Sequence, residues 1–488
     1  MKIAFIEPSI LNVEPLGIAY LAQYLINEGY KVKYFETPRK NFIKKLKKFN
    51  PDILAYSITT GKHRTSRNIN STLRKSFPNA ISLFGGPHCT FHPDFIKSSK
   101  LINGICIGEG ELAMVELLNK IKNKKNYTKT ANWWLKVNGK IYKNPVRERI
   151  KDLDSLPFPN REVIYAENKD IRNSPIKRIF VSRGCPFSCS YCFNKIYNDI
   201  YKNKGKICRQ CSIENIIKEV NLIKKNYPIT FLKIVDDTFG FNMDYEKFAE
   251  LYKKGVGIPF LCNIRPNLID DKKIKNLKQA GCVAVTMAVE SGNEFIRNKI
   301  LNRNLSENEM SKSCILIKKY GLRLYTQNII GNPGETFEMA LETFNFNIKN
   351  KVDFAECFLL TPFPGTEIYK YCIDNNYLEK GVDTDKLPRS YNNLYSCVRF
   401  NSKKEKNKLI NFQKFFSFGV KHPKTLPLIK LLIKLPPNNL FVFFNRLYDA
   451  WRISRVIQAK FNVQNFITTA RNNFQFITSY FIKKDLKS

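Results

Sequence analysis

Histidine is scarce in this chain: His63, His88, His92 and His422 are the four present in 488 residues, which leaves few partners for a Cys/His zinc set. Acidic side chains are also in short supply, 42 Asp and Glu against 81 Lys and Arg, for a formal net charge of +39. Such a surplus attracts phosphates at long range. The lysines, however, are interleaved with Asn and Ile, as in NFIKKLKKFN and KIKNKKNY, and no compact arginine-rich or recognisable nucleic-acid motif is present. A solvated lysine surface is expected, and nucleic acid is not expected as a partner. No run reaches the roughly 18 apolar residues of a membrane-spanning helix. The opening MKIAFIEPS reads as a strand and not as a signal peptide. The thirteen cysteines are odd in number and scattered, so a reducing, cytoplasmic setting is expected. There is no short-period repeat and no long low-complexity tract.

What is present is ample material for packing. At 488 residues, 43% of them hydrophobic, the chain is too long for one core and suggests two or three domains. Over residues 1–130, apolar runs at 3–6, 31–35, 53–58, 81–84 and 105–107 alternate with helical stripes such as Leu16, Ala19, Ala22, Leu25 and Ile26. That alternation predicts an α/β Rossmann-like domain, a doubly wound parallel sheet whose ligands bind beyond the strands' carboxyl ends. EPSILNVEPLG, SITTG, GGPH and GEGE fall there. Residues 131–174 read as a hairpin with an Asn138-Gly139 turn, then a proline-rich linker. From 175 to 400, strand candidates near 176–182, 230–235, 259–263, 282–289, 323–330 and 354–360 predict a partial (β/α)6 barrel related to the TIM barrel, with its site at the strands' carboxyl ends. Residues 401–488 read as a helical C-terminal appendage.

The strongest chemical signal is VSRGCPFSCSYCF, which puts Cys185, Cys189 and Cys192 on one tight loop after the first barrel strand. Three thiolates at this spacing can hold a cubane iron–sulfur cluster while leaving one iron without a protein ligand. Cys208 and Cys211 form a further C-x-x-C without partners, read as structural at a helix entry with Ser212 as cap. The C-x-x-x-C-x-x-C pattern with Tyr191 before its last cysteine resembles the signature of the radical S-adenosylmethionine (SAM) superfamily. VDDTFGFN, AVESGN and NIIGNPGET repeat the resemblance at later strand ends. It implies a [4Fe-4S] cluster on Cys185, Cys189 and Cys192, SAM chelating the open iron, and SAM contacts from Tyr191, Asp236, Glu290, Ser291, Arg303 and Gly331. Asp236 and Asp237 also read as caps or as a hydrogen-bonded pair on the rim. Arg265, in CNIRPN, is a candidate for the substrate pocket or for an ordinary rim salt bridge.

PLGIAYLAQYL, GGPHCTFHP and GEGE resemble the cobalamin-binding domain that precedes the barrel in one radical SAM class. Together the two resemblances span about residues 1–370. The second implies cobalamin contacts from Pro15, Leu16, Gly17, Thr59, Gly85, Gly86, Pro87, Gly108, Glu109, Gly110 and Glu111. A departure is the absence of the D-x-H-x-x-G motif, whose histidine ligates cobalt from below. Cobalt is therefore expected without a histidine ligand, His88 and His92 being the fallback.

The resemblance implies a cobalamin-dependent enzyme that cleaves SAM to a 5'-deoxyadenosyl radical and methylates an unactivated carbon. It also implies an external one-electron reductant, flavodoxin or ferredoxin-like, and a small-molecule or lipid substrate. Radical ring closure or oxidation without methyl transfer is the nearest alternative. A tRNA methylthiotransferase needs three further cluster cysteines in the first domain, which offers Cys89 and Cys106, and a non-catalytic iron–sulfur protein would cleave no SAM. In the appendage, Leu428, Ile429, Leu431, Leu432 and Leu435 interleave with Lys430 and Lys434, which suits either peripheral contact with an anionic membrane or packing on the barrel.

Overall fold

The computed structural model describes residues 1–456 apart from 10, 12, 38, 383–386 and 388–393. The part of the appendage beyond residue 456 lies outside the described residues. In the first sheet β1 (Lys2–Glu7), β2 (Lys31–Glu36), β3 (Ile53–Ser57), β4 (Ile81–Gly85) and β5 (Gly104–Cys106) are parallel, in the order β2-β1-β3-β4-β5. Alternation decides the packing: Ile3 and Phe5 enter one core layer, Ala4 and Ile6 the other. The hairpin, β6 (Trp133–Val137) and β7 (Lys140–Lys143), turns at Asn138 and Gly139, both with positive φ as a two-residue turn requires. Grouped above with the linker, it instead pairs antiparallel with β5 and widens the first sheet to seven strands.

The linker binds both domains. Arg161, buried, places Nη1 2.6 Å from Glu14 Oε1 of the first domain and Nη2 3.0 Å from Glu219 Oε1 on the barrel helix Ile213–Asn226.

The barrel strands are β8 (Ile176–Ile179), β11 (Phe231–Ile234), β12 (Phe260–Asn263), β13 (Cys282–Glu290), β14 (Arg323–Ile330) and β15 (Phe354–Leu359), all parallel in sequential order. Between β8 and β11 a short antiparallel ribbon forms from β9 (Ser182–Arg183) and β10 (Arg209–Gln210). Among the described residues the sheet does not close, β8 and β15 being its two edges, and it packs on helices through an extended hydrophobic core. The helix Lys403–Lys421 covers β15: Phe412, Phe415 and Phe416 join that core, while Gln413 Nε2 donates to Cys357 O at 2.6 Å and Ser417 Oγ to Ala355 O at 2.5 Å. Helices Leu426–Leu432 and Asn439–Val456 follow. Among the described residues no helix is long and apolar enough to cross a membrane.

Candidate active site

All six barrel strands run the same way, so their carboxyl ends share one rim. The three cysteines leave the ribbon on a loop that ends at the helix Phe193–Ile200, with Cys192 at its N-cap. Cys189 is buried and Cys185 and Cys192 are half-buried. The loop is anchored at several points: Ser190 Oγ donates to Ile300 O at 2.6 Å, Asn198 Nδ2 to Cys185 O at 2.9 Å, and Asn302 Nδ2 to Ser188 O at 2.8 Å. Burial pushes the Cys185 thiol up and that of Cys192 up to about 12. Ionising them needs a strong partner, which bound iron supplies with release of the protons.

Cys189 has its own partners. Arg265 Nη1 and Arg303 Nη1 each lie 3.5 Å from its Sγ. Two guanidiniums, which can only donate, suit a thiolate at this position. Arg303 Nη1 also reaches Tyr191 Oη at 3.2 Å, and that phenol donates to Glu290 Oε1 at 2.8 Å. Glu290 sits at a register shift in β13 with φ of 63°, a left-handed conformation uncommon outside glycine. Burial raises its pKa while Arg303 and Tyr191 oppose the rise.

Arg265 occupies a different place from the one its sequence position suggested. Its guanidinium stacks 3.9 Å from the Phe187 ring centroid and donates to Asn267 Oδ1 at 3.0 Å and to Arg303 O. It buttresses the cluster loop from behind and is not part of the cavity wall described next. Asp236 and Asp237 divide between the readings left open. Asp236 accepts from Val181 N at 2.9 Å and Ser182 Oγ at 2.5 Å, a rim pair, and burial pushes its pKa up to about 7. Asp237 is exposed to the cavity and accepts from Asn194 Nδ2 at 3.1 Å. Ser291 and Gly331 lie off the cavity: Ser291 Oγ accepts from Asn293 N at 3.2 Å, and Gly331, at φ 77°, turns the chain after β14.

Opposite the barrel rim stand the carboxyl ends of the first sheet, and between them lies a cavity of about 1050 Å³. That exceeds the ~300–1,000 Å³ usual for small-ligand pockets. Gly17, Thr59, Gly85, Gly86, Pro87 and the turn Gly108 to Glu111 line its first-domain side. Pro15 and Leu16 do not: Pro15 starts the helix Leu16–Asn27, and Leu16 is buried. Nothing lies within 4 Å of the point where a Cβ on Gly17 would sit, so the backbone there is open to a ligand. Gly86, at φ 87°, would bring a Cβ 2.8 Å from the backbone nitrogen of Ile58.

The fallback histidines stand away from this wall. His88 stacks on His63, with ring centroids 4.1 Å apart, and meets the His92 ring at a tilt of 43°, 4.9 Å away; none of the three lines the cavity. Burial, with neighbouring His63 and His92, pushes His88 down to about 3, so it is neutral. The cavity also has lining residues not singled out above: Phe91 on the first-domain side, and Phe193, Asn194, Gln327 and Phe363 on the barrel side. Phe193 directly follows Cys192, a position that could have flagged it; Phe91 stacks on it at 4.3 Å.

Comparison with known proteins matches residues 179–346 to the radical SAM superfamily and residues 9–118 to the B12 binding domain. The chain belongs to the radical SAM superfamily, in the class with a B12-binding domain. An uncharacterised methyltransferase of Pyrococcus horikoshii is 29% identical over 372 residues, 75% of this chain and 79% of that one. The anaerobic magnesium-protoporphyrin IX monomethyl ester cyclase of Rubrivivax gelatinosus is 25% identical, covering 76% of this chain and 70% of its own. Two solved structures share the fold. The radical SAM methyltransferase TsrM of Kitasatospora setae has a TM-score of 0.64 at 15% identity, over 77% of this chain and 76% of its own. The cobalamin-dependent radical SAM enzyme OxsB has a TM-score of 0.68 at 14% identity, over 99% of this chain and 80% of its own.

This radical SAM protein is thus a cobalamin-dependent enzyme whose cofactors are a [4Fe-4S] cluster, SAM and cobalamin. The residues present fit all three. For the cluster there are three thiols on one loop, one of them facing two guanidiniums. For SAM, Arg303 Nε is buried without a hydrogen-bond partner, a donor left for an incoming acceptor. For cobalamin there is a large cavity with open glycine backbone. Among the described residues no three His, Cys, Asp or Glu side chains converge as one metal ion would need. A cubane takes its thiolates iron by iron, so they stand apart. In the first domain Cys89 and Cys106 fall in opposite core layers, a poor start for a second cluster.

Proposed function

We propose that this enzyme transfers a methyl group to an unactivated carbon of a neutral, largely apolar small molecule or lipid. The observation that carries the reading is that both sets of cofactor loops, from the first sheet and from the barrel, open on one cavity. When bound, the cofactors supply a 5'-deoxyadenosyl radical and a transferable methyl group; the chain supplies alignment and exclusion of water. Cys185, Cys189 and Cys192 hold the cluster, and Arg265 and Arg303 direct their Nη1 donors at the Cys189 sulfur. Glu290, Tyr191, Arg303 and Asp237 hold SAM. Gly17, Thr59, Gly85, Gly86 and Pro87 give cobalamin a flat backbone to rest on.

The substrate class follows from charge. The cavity's arginines, Arg183 and Arg209, are both paired with glutamates, so among the described residues no unpaired cation lines the cavity to receive a phosphate or carboxylate. Phe193 and Phe363 from the barrel and Phe91 from the first domain line it instead. An external flavodoxin or ferredoxin-like protein delivers the electron, and the setting is cytoplasmic. The appendage docks on an anionic membrane surface: helix Leu426–Leu432 and the turn after it expose Leu428, Leu431 and Leu435. Between Glu405 and Asp449 the chain has no acidic residue and eight basic ones, so the charge complements anionic lipid.

The test is anaerobic reconstitution with iron, sulfide and hydroxocobalamin, followed by reductant and SAM deuterated at its methyl group. The expected result is 5'-deoxyadenosine together with label on cobalamin. Absence of deoxyadenosine refutes the radical reading, and deoxyadenosine without label on cobalamin points to chemistry other than methyl transfer.

A further inference from the structure

Two arginines stand side by side on the ribbon that leads into the cluster loop. Arg183 is directly opposite Arg209 in the antiparallel pair of β9 and β10, and like charges in that relation destabilise a ribbon. The charge that offsets them comes from the other domain. Glu111 Oε1 lies 2.7 Å from Arg183 Nη2, and Glu109 Oε1 lies 2.8 Å from Arg209 Nη2 and 3.6 Å from Arg183 Nη1. The side chains of Glu109, Glu111 and Arg209 are each under a tenth exposed. Although burial opposes ionisation of Glu109, Arg209 and Arg183 outweigh it and hold its pKa below the usual carboxylate range.

The same turn is held from a second direction. Glu109 N donates to Tyr201 Oη at 2.8 Å, and Tyr201 caps the helix that starts at Cys192. Glu109 Oε2 accepts from Ile150 N at 2.9 Å. The turn Gly108 to Glu111 is therefore gripped by a residue two positions before Cys185 and by one nine positions after Cys192. Apolar surfaces can slide over one another at little cost. A buried ion network has one good arrangement, and its value lies in register more than in net stability.

We propose that Glu109 and Glu111 are positioning residues which, with Arg183 and Arg209, fix the separation and orientation of the cobalamin loop relative to the cluster loop. They do this in place of the cobalamin contacts expected from the sequence. The proposal rests on the reading that the cluster and cobalamin bind on these loops.

The test uses the full chain reconstituted with cluster and cobalamin and reduced so that both are paramagnetic. In the unaltered protein, electron paramagnetic resonance should show one well-defined magnetic coupling between cobalt and cluster. The pair Glu109→Gln and Glu111→Gln should keep iron, sulfide and cobalamin content while that coupling becomes weaker and dispersed. Glu111→Asp, which retains the charge, should restore part of it relative to Glu111→Gln. Unchanged coupling in the double variant overturns the proposal. Loss of cobalamin from that variant with the cluster retained also overturns it, since the glutamates would then be ligand contacts. If the double variant does not fold, Glu111→Gln alone gives the same readout. If the unaltered protein takes up no cluster or no cobalamin, the reading beneath the proposal fails, and cofactor analysis shows this before any variant is made.

Discussion

The phenol of Tyr191 and the carboxylate of Glu290 meet at 2.8 Å, joining the cluster loop to the end of β13. Glu290 holds this contact from a left-handed backbone conformation, φ 63°. Such strain costs about 1–3 kcal/mol and persists where the surroundings enforce it. Glu290→Gln keeps the shape and an acceptor for Tyr191 but removes the charge facing Arg303. A hydrogen bond to a charged group contributes about 1.5–3 kcal/mol, so SAM affinity should fall at least roughly tenfold. Equilibrium dialysis with labelled SAM under anaerobic conditions measures this, and unchanged affinity would remove Glu290 from the SAM site.

The cysteines of the two motifs should behave differently. Cys189→Ala should abolish cluster absorbance and SAM cleavage. Cys208→Ala should retain both, because Cys208 Sγ packs 3.9 Å from Gly184 O beside the cluster loop. Iron and sulfide analysis separates the two; retention of the full cluster in Cys189→Ala contradicts the assignment.

On the first-domain side, Gly86→Ala would put a side chain on a residue with φ of 87° and press its Cβ on the Ile58 backbone. Neither the strain nor the contact is relieved by moving a flexible side chain. A loss of about 1–3 kcal/mol of stability is expected, with weaker cobalamin binding and normal cluster content. Thermal unfolding and cobalamin titration check the two effects.

Lys414, buried beneath the C-terminal helices, gives a pH dependence remote from the cofactors. Burial, aided by Arg446 and opposed by Cys357 and Asp449, pushes its pKa down to about 7 from 10.5. Between these values the unfolded chain binds a proton that the folded chain does not, so stability rises with pH across the window and this group adds no further slope below it. Lys414→Met should melt higher than the unaltered protein at pH 7, by a free energy on the order of a few kcal/mol. That advantage should shrink toward pH 10.5. A constant difference across the range would contradict a neutral, buried lysine.

For the appendage, flotation with vesicles of phosphatidylglycerol and phosphatidylcholine should carry the protein upward, while pure phosphatidylcholine should not. Leu428→Ser with Leu431→Ser should abolish flotation without altering the fold, since both residues are more than half exposed. Equal binding to the two vesicle types would argue against an electrostatic membrane contact.

Much of this architecture is legible in the chain itself because parallel strands buried on both faces leave continuous apolar runs. Ile53–Ser57 and Arg323–Ile330 fall where those runs lie. Asn138-Gly139 signals the hairpin, but the edge it joins depends on the twist and exposed side of β5, which no local pattern records. Asp236 and Asp237 lie beyond the end of β11, where one turns back to Val181 and Ser182 and the other to Asn194 and the cavity, a division that their adjacency in the chain does not reveal. Glu109 and Glu111 read as ligand contacts because their loop is glycine-rich. Their arginine partners lie more than seventy residues away in sequence, beyond what spacing can reveal.

An open sheet of parallel strands has an edge whose carbonyls and amides lack a neighbouring strand. At β15 that vacancy is filled by a helix, with Gln413 and Ser417 donating to Cys357 and Ala355 as an adjoining strand would. The helix is in this sense a surrogate seventh stave of the barrel. Proteolytic removal of everything after residue 402 would therefore leave a sticky margin beside the reaction chamber, and the trimmed protein should aggregate rather than yield a smaller working catalyst.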